Sequence, residues 1–531
     1  MDRTGQNKAP VTRGVWWRVA AGLLLFAAGY AIANRFQLAH GVLYRFAAGD
    51  TGGGIVAFLF MAFQAAVFLA ALLLFPRRWA AVLLVLAGVS TLVNIGYTQI
   101  IPELVDGGTL AWMIAEARQA GHAAGQFGPA FVWTACQVAT ALALFVAARS
   151  LIRSAVTLPW TRPLAALLLF LLFIPSPIYR DFEVWPESAE RNLYGLGVDL
   201  LLAPPPPPRG AVDIVRDRNA LTPRHVVWLV DESIAEAPFA KLVKPSLAAI
   251  PHLDFGVAAS VGNCSAPAQV ALRSGVDVRH TTPATDLRRT PSIWAYARGA
   301  GYSTTLIDGQ TAGAPQNLML PPERALIDAY RPMVGGIDTD LRIADAINAE
   351  LKTGDKSFTY AVLRGVHFQY RDHYPHGAIP ADSPVALQYE TALRWSKGKF
   401  FERLLAGVDR EAVAIVYTSD HGQNLTPGAL PHCSREAVAD EFRVALLAFL
   451  PAREAARYAA APRAGHSASQ IFPATLGWMG YDRVAAAERY DEDLTKPTAR
   501  YVWFGRTVIP LAKGDTISVT PGPDFPGSRR P

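Results

Sequence analysis

The 531-residue chain is 51% hydrophobic and 18% charged, against roughly 25% charged in ordinary soluble domains. Its length has room for about three domains, and three cysteines without a Cys-x-x-Cys pair exclude a disulfide-rich scaffold. The formal net charge of +6 sits on no basic block and no basic helix face, which argues for no nucleic-acid partner.

The shortage of charge lies almost wholly before residue 180, where five apolar runs stand at 15–34, 55–75, 79–101, 129–148 and 163–179. A bilayer core needs about 20 mostly apolar residues per helix. Four runs meet that length; the fifth does so if it begins near Leu158. The first run is not a cleavable leader, because no small-residue cleavage site follows it. Arg3, Lys8, Arg13 and Arg18 flank its start, Arg77 and Arg78 separate runs two and three, and Arg149, Arg153 and Arg162 separate runs four and five. Cytoplasmic loops collect Lys and Arg, so the N-terminus is expected in the cytoplasm and everything after the fifth crossing outside it. Arg35 and Arg45 stand against that rule. Between runs three and four, Leu110, Met113, Ile114 and Ala117 have helical spacing, with Glu116, Arg118 and His122 on a polar side. This stretch, near 103–125, reads as a helix on the outer membrane surface or as a plain connector. Cys136, inside run four, is read as a small packing residue.

Residues 181–212 read as a linker, amphipathic at first and then stiffened by the five prolines Pro204 to Pro208. A domain of about 300 residues follows, 213–510, and then a loose tail, 511–531, rich in proline. Residues 225–230 (His-Val-Val-Trp-Leu-Val) form a buried strand that ends in Asp231, Glu232 and Ser233. Ala266 to Arg273 suit a helix with Ser265 at its N-cap, where free amides favour negative charge. A helix begins at Thr290 and Pro291, and a strand at 302–307 closes on Asp308. Residues 339–351 have a helical period, and a strand at 358–363 runs into Arg364-Gly365-Val366-His367. Residues 383–408 form one helix or a broken pair. The strand 412–417 ends in Asp420, His421 and Gly422, and a polar loop leads on to His432 and Cys433. A last strand at 443–450 and a helix at 467–479 complete the domain.

Alternating strands and helices imply an α/β domain, a mostly parallel sheet with helices on both faces. Reactive groups in such sheets sit beyond the carboxyl ends of strands. Glu232, Asp308, His367, Asp420 and His421 all follow strands there, with Ser265 and His432 in the intervening loops. Carboxylates and an imidazole from neighbouring strand ends can converge on one cation.

These segments resemble the alkaline phosphatase and sulfatase superfamily, most closely the membrane-bound phosphoethanolamine transferases. Asp420-His421-Gly422 is similar to the metal-binding Asp-His pair of that family, and Val230-Asp231-Glu232-Ser233 to its Val-Gly-Glu-Thr. Arg364 to His367, with Tyr374-Pro375 after it, resembles the Gly-Ser-His and Tyr-Pro segments, and His432 stands near the second family histidine. The resemblance implies five transmembrane helices and a periplasmic sulfatase-like domain on the outer side of the cell inner membrane. It implies zinc, one ion or two, held by Glu232, Asp420, His421 and the oxygen of Ser265. Ser265 would carry a phospho group from a phospholipid donor to a lipid A or glycan acceptor, with His367 and His432 facing the substrate or a second zinc. A phosphoglycerol transferase, a phosphodiesterase or a sulfatase-like hydrolase would use the same core, and a membrane scaffold without catalysis is the alternative of another class. Two departures stand out. The transferases usually have threonine where Ser265 stands, and the arginine of the sulfatase signature is Gln269, so formylglycine is not expected. Of the family's many cysteines only Cys264 and Cys433 are present outside the membrane half, and they are hypothesised to bridge the mouth of the site. The resemblance leaves open whether Asp231 or Asp308 contributes.

Overall fold

A computed structural model describes residues 12–47, 49–100, 105, 110, 113–114, 128–157, 159–173, 187–202, 205–281, 285–434, 437–498, 501–504 and 516–519. The chain forms two compact units that divide between Pro204 and Pro205, inside the proline run. Among the described residues of the first unit, four helices are long and apolar enough to cross a membrane: Gly14–Ala33, Thr51–Leu74, Arg77–Gln99 and Gly128–Ala155. The fifth apolar run is helical over Arg162–Phe173, 12 residues; the rest of it, and most of the expected surface helix at 103–125, lie outside the described residues.

Part of the expected linker belongs to this bundle. Residues Ala189–Leu202 are helical, and side chains of the long helices and of the residues just beyond them hold the start of that helix. Asn34 Oδ1 accepts from Ala189 N (2.7 Å), Gln64 Oε1 from Ser188 N (2.9 Å) and Ser90 Oγ from Leu193 N (3.1 Å). The amides of Ser188 and Ala189 precede the first intrahelical bonds, and the apolar bundle supplies their acceptors.

The second unit is built on an eight-stranded sheet in the order β4-β3-β5-β1-β6-β7-β2-β8. The strands are β1 His225–Asp231, β2 Leu253–Ala259, β3 Ser303–Asp308, β4 Ala329–Pro332, β5 Ser357–Val362, β6 Val413–Ser419, β7 Arg443–Phe449 and β8 His466–Ser467. Among the described strands only β7 runs against the rest, pairing antiparallel with both β6 and β2. Every residue of β1 and β6 is buried, as expected for central strands covered on both faces. Side chains alternate between two cores. Val226, Trp228 and Val230 join the core that contains Trp294, Phe472 and the helix Ser265–Ser274. Val227 and Leu229 join the core of Ile343, Tyr389 and Phe401.

Of the two forms open for 383–408 the structure has the broken pair, Val385–Lys397 and Phe400–Leu405, interrupted at Gly398 and Lys399. Two other segments differ from the expected elements. β2 has no clean apolar run because a bulge falls between Asp254 and Val257. Gly256 inside that bulge has φ +77°, and a Cβ there would lie 2.1 Å from the Arg463 carbonyl oxygen. Thr516–Val519, within the expected loose tail, pairs antiparallel with Tyr501–Phe504.

Trp228 joins strand to helix at the centre: its Nε1 donates to Thr475 Oγ1 (2.9 Å) and its ring meets Phe358 edge-on. Trp228→Ala should therefore cost about 3–5 kcal/mol, read by urea unfolding of the purified full chain. A loss below about 1 kcal/mol would contradict this packing.

Candidate active site

β1 and β6 are parallel neighbours in register, with Asp231 opposite Ser419. One further ladder bond, Asp420 N to Asp231 O (3.0 Å), carries that pairing past the strand ends. Glu232 and Asp420 therefore leave adjacent strands at one level. Ser233 turns the chain with φ +60°, and its N–H donates to Asp420 Oδ1 (3.2 Å). His421 N donates to the same oxygen (2.8 Å). His421 Nδ1 is bonded to the Gly422 carbonyl (2.8 Å), which leaves Nε2 facing the carboxylates. Ligand atoms of Glu232, Asp420 and His421 lie within 4.8 Å of one another, and all three residues are buried.

Ser265 is the first residue of the helix Ser265–Ser274, and Cys264 is its N-cap. The expectation placed Ser265 itself at the N-cap. Cys264 holds that place because its backbone is extended and its carbonyl accepts the first helical bond, from Ala268 N (3.1 Å). Ser265 alone in the helix is not fully buried. Its Oγ lies 3.2 Å from both oxygens of Glu232 and 3.2 Å from His421 Nε2. His432 stacks on His421 with ring centroids 4.5 Å apart, and His367 meets His432 edge-on at 5.5 Å. The structure thus brings Glu232, Ser265, Asp420 and His421 together and sets His367 and His432 beside them.

Cys264 and Cys433 are disulfide-bonded. Asn263 adds two bonds to the same loop: its carbonyl accepts from Cys433 N (2.8 Å) and its Nδ2 donates to Ser434 O (3.0 Å). The helix start that carries Ser265 and the loop that carries His432 are therefore one fixed wall.

Asp231 and Asp308 do not face the cluster. Asp231 Oδ2 accepts from Tyr417 Oη (2.7 Å) and pairs with Lys397 Nζ (2.9 Å). Asp308 Oδ1 accepts from the backbone of Gln310 and Thr311 (2.8 and 3.1 Å). That turn aims Gln310, whose Nε2 donates to Glu232 Oε2 (2.8 Å). Gln310 was not foreseen, although its place two residues beyond a strand-end aspartate was a usable signal.

The electrostatics follow from crowding. Burial and the neighbouring Glu232 charge push the Asp420 carboxyl well above the usual range. Burial opposes ionisation of Glu232 too, but the bond to His421 and the three nearby imidazoles hold it below that range. His421 is disfavoured as a cation by burial, yet Asp420 and Glu232 raise it to about 9. His432 keeps part of its surface open, but burial and the adjacent His421 and His367 hold it well below the usual histidine value, so it stays neutral.

These residues fit a divalent cation. Asp420 Oδ2 is buried and has no hydrogen-bond partner among the described residues, a vacancy that native structures rarely leave unexplained. Two carboxylates, an imidazole with its other nitrogen anchored, and a hydroxyl are an oxygen and nitrogen donor set suited to zinc.

Fold and site together define an α/β domain with a candidate cation site at the ends of its central strands. Residues 225–481, just under half of the chain, match the family model described as Sulfatase. Among solved structures, the integral membrane protein lipooligosaccharide phosphoethanolamine transferase A from Neisseria meningitidis aligns at 15% identity with a TM-score of 0.52, over 88% of this chain and 95% of that one. The C-terminal periplasmic domain of EptC from Escherichia coli, in a complex with Zn, aligns at 15% identity over 61% of this chain and all (100%) of that one, with a TM-score of 0.48. The first of these is a likeness of fold. No curated protein sequence matches the chain.

A cation can bind only as Asp420 and His421 give up their protons. With both groups raised, zinc affinity should climb as pH rises from 6 toward 9 and level off above it, with protons released on binding below that limit. Calorimetry in buffers of differing ionisation enthalpy checks this; an affinity flat from pH 6 to 9 would contradict the assigned ligands.

Proposed function

We propose that the protein transfers phosphoethanolamine, or a similar phospho group, from a membrane phospholipid to a lipid A or glycan acceptor of the cell envelope through a phospho-serine on Ser265. The observation that carries this reading is the placement of Ser265 Oγ, 3.2 Å from Glu232 and from His421 Nε2 at the start of a helix. Zinc would be held by Glu232, Asp420, His421 and the Ser265 oxygen. When bound it supplies Lewis-acid stabilisation of a deprotonated hydroxyl.

The remaining steps belong to the chain's own groups. Ser265 gives its proton up to solvent, and its Oγ attacks the donor phosphorus. The bond from phosphorus to the diacylglycerol oxygen breaks, and that oxygen takes a proton from His367 or His432, which solvent restores. In the second half the histidines remove a proton from the acceptor hydroxyl. The acceptor oxygen then attacks phosphorus, and Ser265 leaves with the proton. Backbone amides at the helix start offset the charge that grows on the phosphoryl oxygens. Gln269 stands where the sulfatase signature has arginine, which supports serine as the working nucleophile.

The membrane half keeps this chemistry beside its lipid donor. The reading places the protein in the cell inner membrane as a multi-pass protein with its catalytic domain in the periplasm. The Cys264–Cys433 bond supports that side of the membrane, since disulfides persist in oxidising compartments.

Incubating the purified full chain with head-group-labelled phosphatidylethanolamine and lipid A should release diacylglycerol and move label to the acceptor, as read by thin-layer chromatography. Ser265→Ala should lower kcat roughly a thousandfold or more. Free phosphoethanolamine without acceptor labelling would instead indicate a phosphodiesterase, transfer from a phosphatidylglycerol donor alone a phosphoglycerol transferase, and full activity of Ser265→Ala would refute the proposed nucleophile.

A further inference from the structure

Beneath the cluster lies a cation that the reaction does not use. Lys397, the last residue of the helix Val385–Lys397, is completely buried. Its Nζ pairs with Asp231 Oδ2 (2.9 Å) and with Asp340 Oδ2 (2.6 Å), and both carboxylates are themselves buried. Each of these carboxylates grips the backbone of a different site loop. Asp231 Oδ1 accepts from the N–H of Glu232 (3.1 Å). Asp340 accepts from the N–H groups of Arg364 (2.7 Å) and Gly365 (3.2 Å), three and two residues before His367.

The two loops also press on each other. Gly365 has φ +58°, and a Cβ there would lie 2.2 Å from the Glu232 carbonyl oxygen. That same oxygen accepts from Val366 N (3.0 Å). One ammonium joins the two carboxylates while each of them also accepts from loop amides, and charge-assisted bonds are the stronger and shorter kind.

The geometry points to Lys397 as a positioning residue: through Asp231 and Asp340 it sets the spacing between the loop that carries Glu232 and the loop that carries His367. Lys397 touches neither Ser265 nor any of the groups assigned to hold the cation. Its effect on catalysis would pass through the backbone of these two loops. The inference concerns the same site as the proposed transfer reaction and rests on that reading for its activity arm only.

The experiment uses the full-length chain in detergent, comparing wild type with Lys397→Met, Lys397→Arg and Asp340→Asn. Hydrogen exchange is read on peptides covering 230–235, 363–368 and, as a distant reference, 443–449 in β7. In Lys397→Met the first two peptides should lose protection together while the third keeps it, and Lys397→Arg should restore part of the loss. Zinc affinity, measured by chelator competition, should fall by roughly ten- to a hundredfold, the range seen when groups behind a metal ligand are removed. The transfer rate should show kcat lowered with KM nearly unchanged. Unchanged protection in the two loops, or a uniform loss across all three peptides, would overturn the inference. If Lys397→Met does not fold, Asp340→Asn decides: selective loss at 363–368 with weaker zinc binding supports it, and wild-type behaviour overturns it. A wild-type chain that binds no zinc would refute the metal reading, while the exchange pattern would still decide the role of Lys397.

Discussion

Two carboxylates, Glu232 and Asp420, meet in a buried space at the ends of adjacent parallel strands, and the rest of the second unit is arranged around that meeting. Their ligand atoms lie within 4.8 Å. At an effective dielectric near 20 this separation alone implies a repulsion of at least about 3 kcal/mol. Structural zinc sites in small peptides return on the order of 10 kcal/mol, a scale on which a cation would outweigh the repulsion. Without one, the cost falls on protonation, as the raised Asp420 and His421 show. The Asp420 Oδ2 left without a hydrogen-bond partner among the described residues has the same origin: acceptors outnumber donors where the two carboxylates meet.

The supports of this cluster come from four directions. The β1–β6 register levels the two carboxylates. Gln310, aimed by the Asp308 turn, fixes Glu232 from the β3 side. Gly422 lets the chain after His421 pass close to its neighbour: a Cβ there would lie 2.0 Å from the Asp440 carbonyl oxygen. The Cys264–Cys433 bond and Asn263 hold the serine and His432 on a common wall. Closing a loop of 169 residues restricts the unfolded chain by an amount on the order of 5 kcal/mol in the chain-entropy model. One covalent link thus steadies the domain and the site together.

Much of this was legible before any fold was known, because the signals are local. Apolar runs that stop at Glu232 and at Asp420-His421 announce buried strands with reactive ends. Ser265 preceding a helical stretch announces a hydroxyl near free amides. What stayed hidden depends on partners distant in the chain. The reversed direction of β7 leaves no trace in its own residues, since an apolar run reads the same either way. β2 was masked by its bulge. The residues left open whether Asp231 or Asp308 contributes beside Glu232, and only their partners (Lys397 for one, the Gln310 turn for the other) turn them into supports. Lys397 sits at the end of an amphipathic helix, where a lysine ordinarily reads as a solvated C-terminal charge.

The central claim is that one cation sits between Glu232, Asp420, His421 and the Ser265 oxygen. Zinc-edge anomalous diffraction from crystals of the full chain tests it most directly. The account predicts a single strong peak about 2.0–2.2 Å from a carboxylate oxygen of Glu232, one of Asp420 and Nε2 of His421. An active, metal-free protein, or zinc bound away from these three residues, would contradict it.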